Sequence, residues 1–150
     1  MTVDYTTLAS TAAALTEGET DAVALMATLA CEIHHADERF DWTGFYRVTE
    51  PGLLKIGPYQ GGHGCLVIPF ERGVCGACAR TGEAQLVDDV EAFPGHIACS
   101  TSTRSELVLP VRNAAGEVIA MLDIDSDRPG AFTKDDAEAL QAILDATFAV

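Results

Sequence analysis

The chain has 150 residues, enough for one domain with a sizeable core, and at 48% hydrophobic and 21% charged it excludes intrinsic disorder. Its net charge of −14 runs along the whole chain rather than gathering in a tail. That field disfavours nucleic acid and anionic membranes, because binding phosphate takes Lys and Arg clusters that are absent. The start, Met1-Thr2-Val3-Asp4-Tyr5, has no basic leader. The longest apolar run, residues 22–31, is interrupted by Thr28 and is too short to span a bilayer. A soluble, cytoplasmic protein is expected.

Residues 4–17 have weak helical character. Thr20 is positioned to cap a helix reaching about residue 36, with Val23, Met26, Leu29, Ala30 and Ile33 on one face. Residues 41–48 and 53–57 read as strands joined by a turn at Glu50-Pro51-Gly52. Cys65-Leu66-Val67-Ile68 reads as a short strand, and the small apolar run from residue 73 opens a short helix ended by Gly82. Gln85-Leu86-Val87 is a brief strand, followed by a loop through Cys99 to about residue 104. Residues 106–111 form a strand, Asn113-Ala114-Ala115-Gly116 a turn, and residues 118–122 a near-continuous apolar strand. Thr133 with Asp136 resembles a capping box, and Leu140, Ile143, Leu144 and Phe148 make a helical stripe. With no linker or repeat, residues 1–150 read as a single α+β domain. Short turns between strands favour an antiparallel sheet flanked by helices.

Four of the five cysteines lie between positions 65 and 99: Cys65, Cys75, Cys78 and Cys99. In a reducing compartment such thiols are redox-active or metal-binding more often than structural. Cys75-Gly76-Ala77-Cys78 taken with His96 and Cys99 offers a Cys₃His zinc set, although a chain with a good core has little need of structural zinc. A thiol-redox site needs an accessible thiolate and a second cysteine within reach. Cys99, in a glycine-containing loop, suits the first role; Cys65 and Cys75 are both open for the second. Cys31 lies on the apolar side of its helix and reads as a core residue.

Asp123 and Asp125 share one strand face. Pattern alone favours a strand end reaching solvent, with Asp125-Ser126-Asp127 as a turn. Glu106 opens an apolar strand seven residues after Cys99, either as a solvated strand start or as a group able to supply a proton or bind an amine. Trp42 and Tyr46 share a face with Gly44 between them, leaving either a slot for an apolar or sulfur-bearing group or an ordinary core pair.

Several segments, in order, resemble the free methionine-(R)-sulfoxide reductases, stand-alone members of the GAF fold. They are Asp41-Trp42-Thr43-Gly44-Phe45-Tyr46, Gly57-Pro58-Tyr59-Gln60-Gly61 with Cys65 beyond, and Gly73-Val74-Cys75-Gly76. Phe93-Pro94-Gly95-His96-Ile97-Ala98-Cys99, Ser105-Glu106-Leu107-Val108 and Leu122-Asp123-Ile124-Asp125-Ser126 complete the set. The sequence departs from the family at Tyr59, Gly62-His63-Gly64 and Ser100, and Cys78 is an addition. The resemblance implies a six-stranded antiparallel sheet with helices on both faces, usually in a homodimer. It implies catalysis by Cys99, with Cys65 resolving the oxidised thiol and Cys75 as a third cysteine able to relay the disulfide. It implies a substrate pocket of Trp42, Tyr46, Glu106, Asp123 and Asp125. The implied reaction reduces free methionine sulfoxide with no metal or organic cofactor, and thioredoxin or a similar dithiol recycles the enzyme. A GAF sensing module without turnover and a zinc-stabilised domain are the competing classes.

Overall fold

The computed structural model describes residues 3–150; Met1 and Thr2, part of the chain start read above for a leader, lie outside the described residues. Helix α1 (Tyr5–Leu15) starts where the Asp4 carboxylate accepts from the Thr7 N–H. Helix α2 (Ala22–His34) is capped by Asp21, not Thr20: Asp21 Oδ1 accepts from the Val23 and Ala24 N–H groups at 2.9 and 3.1 Å. A carboxylate there also complements the positive end of the helix dipole, which a threonine hydroxyl cannot. Val23 faces outward, at 54% exposure, and Leu25 joins Met26, Leu29, Ala30 and Ile33 in the core. Cys31, expected as a core residue, is only half-buried.

Strands β1 (Trp42–Glu50), β2 (Leu53–Gln60), β3 (Val67–Pro69), β4 (Gln85–Val87), β5 (Ser105–Arg112) and β6 (Val118–Ser126) form one sheet. Its order is β3-β2-β1-β6-β5-β4, and every neighbouring pair is antiparallel. Cys65 and Leu66, expected to open β3, precede it. Helix α3 (Gly73–Thr81) ends at Gly82, whose φ of 68° is left-handed and suits glycine. Helix α4 (Lys134–Thr147) carries the expected box: Thr133 Oγ1 accepts from the Asp136 N–H, and Asp136 Oδ2 accepts from the Thr133 N–H at 2.9 Å.

Strand alternation gives the sheet two unlike faces. Phe45, Leu107, Leu109, Leu122 and Ile124 point to one and pack against α1, α2 and α4 as the main core. Trp42, Tyr46, Val108 and Met121 point to the other, where α3 adds Val74, Cys75 and Cys78. Helices therefore lie on both faces, as expected of this α+β class. Among the described residues no helix is long and apolar enough to cross a membrane.

Candidate active site

The three carboxylates meet on the α3 side of the sheet. Register pairs Glu106 with Asp125 and Val108 with Asp123 between β5 and β6. Between β1 and β6 it pairs Trp42 with Asp125 and Gly44 with Asp123. Cross-strand partners share a face, so these side chains converge. The solvated strand end favoured by pattern is overturned: β6 continues through Ser126, and Asp123 and Glu106 are only 4% and 7% exposed. The chain turns outward one residue later, at exposed Asp127. Asp123 Oδ1 and Asp125 Oδ1 are buried without a hydrogen-bond partner among the described residues.

Burial pushes the Glu106 carboxyl well above the usual carboxylate range, and the neighbouring Asp123 adds to the shift. The same holds for Asp123, by burial and then Asp125, and for Asp125, by burial and then Glu106. Desolvation disfavours each charged form and like charges disfavour ionising all three. Each of the three carboxyls is therefore biased toward its protonated form.

A cavity of about 310 Å³ is lined by Trp42, Tyr46, Cys75, Glu106, Asp123 and Asp125 and reaches Cys99. It falls at the small end of the range of roughly 300–1,000 Å³ for ligand pockets. Trp42 Nε1 donates to Gly62 O at 2.8 Å, fixing the indole at one side. Its ring stacks on Tyr59, at 5.3 Å between centroids, and on Tyr46, at 6.0 Å. Gly44 does not open a slot between the rings: a Cβ there would lie 2.5 Å from Trp42 Cη2 and from Tyr59 Cβ. The missing side chain lets the indole lie down on the strand.

Cys99, which the cavity reaches, is joined by a disulfide to Cys65, with Cα atoms 5.2 Å apart. The disulfide joins two loops that other bonds also hold. Tyr46 donates its hydroxyl proton to Cys65 O at 3.0 Å. On the far loop, the Gly73 N–H donates to Gly95 O at 2.8 Å, tying the start of α3 to the segment that carries Cys99. Gly73 has a φ of 73° and faces Ile97, where a Cβ would come within 3.3 Å. Cys75 is a buried free thiol whose pKa is raised well above the ordinary thiol range by burial and then by Asp123. Cys78 is also free, and burial pushes it up to about 12.

The Cys₃His set of Cys75, Cys78, His96 and Cys99 is not assembled, since Cys99 is bonded to Cys65. Among the described residues the only group with ligand atoms close enough for one ion is Cys75, Glu106 and Asp123, within 4.8 Å of one another. The cavity also takes in residues that the sequence did not assign to the pocket: His63, Gly64, Ser102 and Thr103, and with them Asp41 and Asp127. Asp41 Oδ2 accepts from the Asp127 N–H at 2.8 Å, a link across 86 positions that leaves no local signal. His96 lines the cavity too, its pKa lowered by burial against the opposing pull of Glu91.

A six-stranded antiparallel sheet between helices, with a thiol pair over buried acids, defines a GAF domain carrying a redox site. The GAF domain family model matches residues 16–147. Protein YtsP of Bacillus subtilis is 42% identical over 138 residues, 91% of this chain and 84% of that one. The free methionine-R-sulfoxide reductase of Escherichia coli is 39% identical over 133 residues, 87% and 78% of the two chains. The structure of free methionine-R-sulfoxide reductase from Neisseria meningitidis in complex with its substrate superposes with a TM-score of 0.88 at 39% identity, covering 96% of this chain and 87% of that one. The chain belongs to the free methionine-R-sulfoxide reductase family of GAF-domain oxidoreductases.

Proposed function

We propose that this protein reduces free L-methionine-(R)-sulfoxide to methionine through a cysteine sulfenic acid and an intramolecular disulfide. The observation that supports this most is the pairing of Cys65 with Cys99, which is reached by a small cavity lined by Glu106, Asp123 and Asp125. In the reduced protein, Cys99 is the nucleophile and attacks the sulfoxide sulfur. The sulfoxide oxygen leaves only when it takes up a proton. The carboxyl cluster holds one at neutral pH because burial and mutual repulsion keep it from ionising fully. The oxygen leaves as water, water adds to Cys99 Sγ as the bond to the methionine sulfur breaks, a proton is released, and methionine departs with Cys99 left as a sulfenic acid. The Cys65 thiol condenses with it, releasing water and forming the disulfide.

Trp42 and Tyr46 form the apolar side of the pocket against the substrate's thioether end, and an ionised member of the carboxyl cluster receives its α-ammonium. Pocket size restricts turnover to the free amino acid. Cys75, buried against Asp123, is the third cysteine of the reading and relays the disulfide where exchange reaches it. Recycling by thioredoxin or a similar dithiol, homodimeric assembly and cytoplasmic residence belong to the same proposal, and gel filtration checks the assembly. The reaction is tested by supplying the separated diastereomers of free methionine sulfoxide with dithiothreitol and measuring methionine. Turnover of the R form, with little of the S form or of peptide-bound sulfoxide, is expected. Equal activity on an oxidised protein contradicts the closed pocket.

A further inference from the structure

We propose that the sheet edge at Leu66 and Val67 is the docking surface for the dithiol protein that reduces the disulfide, and that Cys65 is the sulfur it attacks. This rests on the reductase reading above. Leu66 is 73% exposed and Val67 46% exposed, and they directly follow Cys65 in the chain. Two adjacent large apolar side chains open to water beside a redox-active sulfur mark an interaction site rather than scattered surface apolarity. Strand β3, which begins at Val67, is the outermost strand on its side of the sheet. It is only three residues long and ends at Pro69, a device that discourages indiscriminate strand pairing.

Charge narrows the partner. Val67 pairs with Lys55, and Lys55 pairs with Arg47, so the three side chains form one row on one face of β3, β2 and β1. The protein holds nine cationic side chains against a net charge of −14, so a row with two of them is a local exception to a repelling field. An acidic protein with an apolar collar around its thiol fits this edge and is turned away elsewhere.

Position selects the sulfur. Cys99 reaches the cavity wall, whereas Cys65 lies outside it on the loop leading to the exposed edge. The partner's thiolate forms a bond to Cys65 Sγ, the Cys65–Cys99 bond breaks, and its electron pair leaves on Cys99 Sγ as thiolate. The partner's second thiol, once deprotonated, attacks the mixed disulfide. Cys65 leaves as thiolate and takes up a proton, and the partner departs as a disulfide. Two electrons pass inward, and Cys99 is the first sulfur restored.

The test uses thioredoxin with its NADPH-dependent reductase as one electron source and dithiothreitol as the other. The paired change Leu66→Ser with Val67→Ser, and separately Lys55→Glu, should lower kcat/KM for thioredoxin by about tenfold or more. Dithiothreitol-supported turnover and the circular dichroism spectrum should be unchanged. Equal loss with both reductants, or none with thioredoxin, overturns the docking surface. A thioredoxin whose second cysteine is replaced by serine should form a mixed disulfide with the oxidised protein that maps to Cys65 by peptide mass analysis. No mixed disulfide, or one mapping to Cys99, overturns the assignment. This trap needs no sulfoxide, so a protein that makes no methionine with dithiothreitol fails the reductase reading while the trap still decides the present one.

Discussion

The two faces of the sheet are built from the same strands and obey opposite rules. Leu107 and Leu109 of β5 and Leu122 and Ile124 of β6 are fully buried against the helical layer. Their immediate neighbours Glu106, Asp123 and Asp125 turn to the other side and form an acidic wall, the first two buried and Asp125 half-buried. One face gains from taking apolar surface out of water. The other pays to keep carboxyl groups dry, and that cost is what raises their pKa values. Period-two alternation lets a single strand serve stability on one side and proton chemistry on the other.

The largest separation between the faces is expected at Cys99. Cys99→Ser should abolish methionine formation even in a single turnover, with the melting temperature of the reduced protein little changed. Retained turnover in that variant would move the nucleophile elsewhere.

Next in size are the acids. Glu106→Gln, Asp123→Asn and Asp125→Asn should each slow single-turnover reduction, by about 10²–10⁴-fold where the group donates the proton. They should also leave a mark on stability. The folded protein holds these groups protonated above their ordinary range, while the unfolded chain releases their protons near pH 4. Above that pH the unfolded state binds fewer protons, so stability declines as pH rises toward the elevated pKa values. Asp123→Asn removes one such group, and its melting temperature should gain on the parent's as pH rises above about 4. Amides that react at the parental rate, with no pH-dependent gain, would return these residues to an inert role.

On the opposite face the pattern should invert. Leu109→Ala should cost about 2–5 kcal/mol by denaturant unfolding, with little change in rate per folded molecule. The smallest effects are expected away from both faces. Cys31→Ser, at a half-buried helix edge, and treatment with a chelator should leave rate and melting temperature unchanged. Melting on chelation would revive a metal-stabilised reading.

Much of this division was legible in the sequence. The strand pattern, the capping box at Thr133 and Asp136, and the apolar stripe ending at Phe148 all rest on local periodicity or spacing, and the fold follows them. The acidic wall was harder. Asp123 and Asp125 close an apolar strand, and a strand end looks alike whether it meets solvent or a covering helix. Only register with Glu106 and the placement of α3 over them decide the matter. The Gly44 slot failed for a similar reason, because alternation names the face but not the lean of an indole. Asp21 displaced Thr20 as cap through a choice between adjacent capping residues that spacing alone leaves open. The Asp41–Asp127 link comes from a contact distant in sequence, which a single chain does not advertise.

The most direct test of the central claim is a stoichiometric turnover without reductant. Fully reduced protein is mixed with excess free methionine-(R)-sulfoxide, and methionine and free thiols are counted. The account predicts one methionine per chain, the loss of two thiols, and a new disulfide between Cys65 and Cys99 alone. No methionine from folded, reduced protein, or methionine with both of those thiols still free, would contradict it.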